Sequence, residues 1–136
     1  AELHGFLAYL GRAAATETPY RIFGHKGKQV RDNIHAADVC TAIMAFYERP
    51  RPAAVYNLGG GRANSVSLLE AVARFEELLG TTVRTSYVEE PRRGDHICYI
   101  SDVSRFRHDH SEWELTVPLD RIFAELAAAA RAATRV

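Results

Sequence analysis

The sequence carries no surplus of charge, with 17 Lys and Arg residues against 17 Asp and Glu. A protein built to coat nucleic acid concentrates basic charge on one face, so nucleic acid is not an expected partner and any anion binding has to be local. Cysteine is scarce. Cys40 and Cys98 show no metal-ligand spacing and lie in apolar contexts, the pattern expected of buried, reduced thiols in a cytoplasmic protein rather than of a disulfide. No apolar run is long enough to span a bilayer, and a membrane is not an expected partner either. The patterns G-x-S-x-G, C-x-x-C and H-E-x-x-H are all missing, so no nucleophile is paired with its base and no zinc protease motif is present. There is no charged-then-apolar leader and no initiator Met. The chain opens directly on an amphipathic pattern, as expected for a piece of something longer.

What is present suits one domain over 1–136: 136 residues with 47% hydrophobic content can bury a single sizeable core. Leu3, Phe6, Leu7 and Leu10 recur at helical spacing and predict a helix over about 3–14. Tyr20 to Phe23 and Gln29 to His35 read as two short strands that could form a hairpin around a basic turn. A helix is expected from Asp38 as N-cap, with Val39, Ala42, Ile43, Phe46 and Tyr47 on one face, ending before Pro50. Val55 to Leu58 reads as a strand running into Gly59-Gly60-Gly61. Ser67 and Glu70 have capping-box spacing ahead of Leu68, Val72, Phe75 and Leu79, with Gly80 as the stop. Strands are expected again at Val83 to Val88 and Ile97 to Ile100, a short helix capped by Asp102, and a last helix beginning at Pro118. Strands alternating with helices point to α/β or α+β architecture, with too few strands for a self-contained doubly wound sheet.

Two polar clusters can carry chemistry. In Lys26-Gly-Lys-Gln-Val-Arg31, Arg31 can present a bidentate fork to phosphate oxygens while Lys26 and Lys28 act as mobile point charges. In Glu89-Glu-Pro-Arg-Arg-Gly-Asp95, Arg92 or Arg93 can clamp a phosphate while Asp95 accepts from a ribose diol. The bland reading of both is a solvated turn. Gly59 to Gly61 lack G-x-G-x-x-G spacing and read as a connector rather than a dinucleotide loop. His108 and His110 flank Asp109 without a third ligand and are expected on a surface turn, with no metal. His35 is expected to be a hydrogen-bonded structural histidine, and Trp113 and Leu115 are expected to pack.

The ordered set Arg31-Asp-Asn-Ile-His35 with Asp38, Val55-Tyr-Asn-Leu-Gly-Gly60, the serine-capped helix, and Arg92 three before Asp95 resembles the C-terminal half of extended short-chain dehydrogenase/reductases. These are the NAD-dependent nucleotide-sugar epimerases and dehydratases. With Leu3-His-Gly-Phe-Leu7, Lys26-Gly-Lys-Gln-Val30 and Ile100-Ser-Asp-Val-Ser-Arg105, the set looks most like the CDP-paratose 2-epimerase (CDP-tyvelose epimerase) branch. The resemblance implies an α/β, α+β-like fragment: the C-terminal substrate lobe of a Rossmann-type enzyme, with short strands and four to five helices. It implies that Arg31 and Arg92 bracket the diphosphate of a nucleotide-diphosphate sugar and that Asp95 takes the ribose. Phe23 would lie near the base, Asn33 near the nucleotide, and His4 and Gly5 where backbone amides approach phosphate. The family's glycine-rich NAD loop and Tyr-x-x-x-Lys pair belong to an N-terminal half that these residues do not include. NAD is therefore expected in the parent enzyme and not in this fragment, which holds no catalytic residue and is expected to be inactive alone. Without that half, the apolar face of the Asp38 helix is expected to drive self-association. The alternative is a non-catalytic nucleotide- or protein-binding module on the same lobe.

Overall fold

The computed structural model describes residues 5–134. Along the chain these form α1 (Phe6–Ala15), β1 (Tyr20–Phe23), β2 (Val30–Asp32), α2 (Ala36–Glu48), β3 (Ser65–Ser67) and α3 (Leu68–Leu79). There follow β4 (Thr85–Val88), β5 (Cys98–Tyr99), α4 (Ser104–Asp109) and α5 (Leu119–Ala133). Two small sheets result. β1 pairs in parallel with β4, Phe23 opposite Val88, and β2 lies between antiparallel β3 and parallel β5.

The main core is a helix-on-strand layer. Leu7, Leu10, Ala13 and Ala14 of α1 meet Ala71, Val72 and Phe75 of α3, Ile122, Phe123 and Ala127 of α5, and the inward residues Tyr20 and Ile22 of β1. Helices α1 and α3 approach closely because Gly11 faces the Phe75 ring, where a Cβ would come within 2.9 Å of it. Phe75 and Phe123 meet edge-on at 5.0 Å, a favourable arrangement of ring quadrupoles. Helix α3 is specified locally: the Ser67 hydroxyl accepts from the Glu70 amide, the Glu70 carboxylate accepts from the Ser67 amide, and Gly80 ends the helix in the left-handed region.

A second cluster joins α2 and α4 through Ala42, Ala45, Phe106 and Trp113. Asp38 ties this cluster to the rest. It is fully buried, accepting from the Thr116 amide (3.0 Å), the Thr116 hydroxyl (2.7 Å) and the Val117 amide (3.2 Å). Burial pushes its carboxyl up, but these bonds outweigh that and hold it below the ordinary aspartate range.

Several expectations change. The hairpin does not form. Gly24, His25, Lys26 and Gly27 all take positive φ, so the chain coils through a 3-10 turn and delivers β2 to a different sheet. The cap of helix α2 falls three residues early, at His35, whose Nδ1 accepts from the Ala37 amide while Nε2 donates to Glu125 at 2.9 Å. Asp38 thus serves tertiary structure rather than the cap. Val55 to Leu58 forms no strand, and Val55 is 76% exposed. On α2, Ala42 is buried and Val39 and Phe46 half-buried, while Ile43 and Tyr47 face outward at 58% and 76% exposure. Cys40 and Cys98 are free as expected but exposed rather than buried. His110 is not on a surface turn: it is fully buried, stacked on Phe106 at 4.6 Å, with neither ring nitrogen hydrogen-bonded. Among the described residues, no three His, Cys, Asp or Glu gather to hold a metal, and no helix is long and apolar enough to cross a membrane.

Candidate functional site

The two polar clusters meet. The β1–β4 ladder ends with the Gly24 amide donating to Val88 O at 2.8 Å, and beyond it Pro91 packs directly on Gly24. Any Cβ at Gly24 would lie 2.6 Å from the Pro91 Cβ, and its φ of +62° is also one that side chains resist. That contact brings the 92–95 turn, closed by the Asp95 amide donating to Arg92 O at 3.0 Å, over the end of β1.

A cleft of about 110 Å³ opens here between β1, the start of β2 and this turn, lined by Phe23, Arg31, Arg92 and Asp95 together with Phe6, Tyr20, Arg21, Gln29 and Leu68. Arg31 is half-buried, donating through Nη1 to Val30 O at 2.7 Å and through Nη2 to the Asp95 carboxylate in an ion pair. The Arg92 guanidinium lies over the Phe23 ring at 4.5 Å, a cation–π contact, with Arg21 at 5.5 Å from the same ring. Three guanidinium groups thus share one cleft with one carboxylate, which makes the cleft locally cationic in a chain of zero net charge. Burial raises the Tyr20 hydroxyl pKa, opposed by the charge of Arg92, so the phenol stays neutral and able to donate. Gly5 lines an adjoining hollow with Phe6, Tyr9, Tyr20 and Arg92.

Four of the expected residues, Arg31, Arg92, Asp95 and Phe23, share the cleft, and Gly5 borders it. His4 lies outside the described residues. Asn33 is placed differently. Its side-chain amide donates to Arg31 O and Asn64 O, bracing the backbone that carries Arg31 rather than lining the cleft. Lys26 and Lys28 are exposed on the turn and do not line it either. Tyr20, Arg21 and Gln29 were missed as lining residues. The signal for Gln29 was its place two before Arg31, which puts both side chains on one face of an extended segment.

The glycine run does not suit a dinucleotide. The Gly61 amide is already engaged, donating to Asp32 at 3.0 Å, and a Cβ on Gly60 would overlap Asn33 O and Asn64. Gly59 is covered in the same way by Ser101 and Asp32. Gly60 lets backbone pack on the Asn33 backbone and Gly59 makes room for the Ser101 and Asp32 side chains, so these contacts leave no cradle for a pyrophosphate. No chemical step is assigned to a cofactor on this chain.

No family model matches the chain. Solved structures do. MoeE5 in complex with UDP-glucose and NAD aligns with a TM-score of 0.80 and 28% identity over 97% of this chain and 42% of its own. UDP-glucose 4-epimerase from Stenotrophomonas maltophila, with bound NAD and formylated UDP-arabinopyranose, gives 0.79 and 27%, over 98% and 41%. The dTDP-glucose 4,6-dehydratase of Bacillus anthracis str. Ames, in complex with NAD, gives 0.76 and 25%, over 91% and 38%. The structural neighbours are NAD-dependent nucleotide-sugar epimerases and dehydratases of the extended short-chain dehydrogenase/reductase type. The chain spans about two fifths of the length of these structures and has the fold of their C-terminal lobe.

Proposed function

We propose that residues 1–136 form the nucleotide-sugar-binding lobe of an NAD-dependent nucleotide-diphosphate-sugar epimerase or dehydratase. The observation that carries this reading is the convergence of Arg31, Arg92, Asp95 and Phe23, from three separated stretches of sequence, in one cationic cleft. Arg31 and Arg92 would take the diphosphate through charge-assisted bonds, Asp95 the ribose hydroxyls, and Phe23 the face of the base. Asn33 would act by holding the Arg31 backbone, and Gly5, just before α1, would approach the phosphates, a role His4 would share. NAD would be held by residues outside these 136, where the base and the hydride chemistry would also reside, so the lobe alone binds and positions but does not turn over. Within this class the Lys26-Gly-Lys-Gln-Val30 and Ile100-Ser-Asp-Val-Ser-Arg105 stretches favour a CDP-sugar 2-epimerase-like parent.

Calorimetric titration with CDP-, UDP- and dTDP-sugars tests the reading. Binding of one of them is expected, weakened in Arg31→Ala by on the order of 2 to 4 kcal/mol, as for loss of a part-buried charged contact. An Arg31→Ala effect below a few tenths of a kcal/mol would return the cleft to a structural ion pair.

A further inference from the structure

Gln29 holds a polar atom that the fold does not use. Its side-chain Nε2 donates to Phe23 O at 3.0 Å, while its Oε1 is buried and has no hydrogen-bond partner. The assignment of the two amide atoms is fixed by chemistry. Phe23 O can only accept, so the atom facing it must be the NH2 group, and the carbonyl must be the one left over. A buried acceptor without a donor keeps the cost of its lost hydration, and such groups in native proteins call for a reason.

The surroundings supply one. Gln29 lines the same cleft as Arg31, Arg92 and Asp95, and its fixed amide is hydrogen-bonded to the residue whose ring the cleft exposes. The other side-chain polar groups there are three guanidinium groups that only donate, Asp95, an acceptor held by Arg31, and the Tyr20 hydroxyl, a rotor that can donate or accept. Among the described lining residues, Gln29 carries an amide oxygen that is fixed in orientation and left without a donor. The Nε2 bond ties the amide to Phe23, so the ligand part nearest to it would be the part proposed to stack on Phe23.

Resting on the nucleotide-sugar reading, we infer that Gln29 is a specificity-determining residue whose carbonyl accepts an N–H hydrogen from the nucleobase. The matching donor is the ring N3–H of a uracil or the exocyclic amino group of a cytosine, each an in-plane N–H that a rigid carbonyl can meet. A base without that hydrogen leaves the acceptor stranded, and selection by such a buried group is steeper than selection by apolar fit.

The test is calorimetry on the full-length polypeptide with UDP, CDP, their base-methylated forms (N3-methyl-UDP and N4,N4-dimethyl-CDP), 2′-deoxy-UDP, and inorganic pyrophosphate. Base methylation is expected to weaken binding by about tenfold or more, the cost of one stranded buried acceptor. Gln29→Met is expected to weaken the parent nucleotides similarly while pyrophosphate affinity stays within about twofold. Should that variant fail to fold, the methylated ligands on the unaltered protein decide the matter. Methylated and parent bases binding alike would overturn the inference while leaving the nucleotide reading intact. A loss on 2′-deoxy-UDP with no loss on base methylation would overturn it too, by giving the carbonyl to the ribose. Failure of the folded protein to bind any nucleotide or pyrophosphate would sink the underlying reading, and this inference with it.

Discussion

Replacing Asp38 by alanine removes the acceptor for three donors at once: the Thr116 amide, the Thr116 hydroxyl and the Val117 amide. The site is fully buried, so water cannot easily substitute. Hydrogen bonds to a charged acceptor contribute about 1.5 to 3 kcal/mol each, but three on one carboxylate are not additive, and a loss of about 3 to 5 kcal/mol is expected. For a chain of this size that corresponds to a drop in Tm on the order of 10 to 20 °C. The assay is built in, because the single tryptophan, Trp113, donates from Nε1 to Asp38 O at 3.2 Å and reports unfolding by its fluorescence. The effect also has a pH signature. Asp38 has a lower pKa folded than unfolded, so its contribution is complete above the ordinary aspartate value, near 4, and is lost as pH falls through the depressed value. The stability gap between wild type and Asp38→Ala should therefore be widest near neutrality and close in acid. A gap under about 1 kcal/mol at neutral pH, or one that persists unchanged well below about pH 3, would refute the reasoning.

Ser67→Ala removes one half of the capping box and should cost about 1 kcal/mol in urea unfolding, with α3 fraying first in hydrogen exchange. Residues 1–136 expressed alone should self-associate through Ile43, Tyr47 and Val55, and Ile43→Glu with Tyr47→Glu should return the species to monomer in sedimentation. A wild-type chain that stays monomeric at every concentration would remove that expectation.

What could be read from the sequence followed how local each determinant is. Helix α3 was legible to the residue because its start is a four-residue reciprocal cap and its stop a left-handed glycine. The pairing of β1 was not, since its partner β4 lies beyond β2, α2, β3 and α3, and no dipeptide records a parallel ladder. Asp38 shows the same limit. Its residue type signals a cap, yet its carboxylate is committed to Thr116, 78 positions on. His110 was misread because the H-D-H string looks polar, while Phe106 at i−4 gave the better clue to a buried face. That Arg31, Arg92 and Asp95 belong together was legible by chemistry, and the structure brings them to one cleft. Gln29 escaped because its one sequence signal, a place two before Arg31, says which face it shares and not that one of its amide atoms lacks a partner, which only its neighbours reveal.

The ion pair between Arg31 and Asp95 gives the cleft an occupant of its own. Asp95 holds the guanidinium that the proposed function gives to a diphosphate, so on that reading binding would be an exchange rather than an addition, and affinity would be net of a contact surrendered. A bare phosphate that captures Arg31 leaves Asp95 half-buried without its cation. A molecule offering both an anion and a neighbouring pair of hydroxyls gives each of the separated partners a replacement. On that reading the pair would discriminate before any sugar is examined, handicapping fragments and simple anions relative to a complete nucleotide.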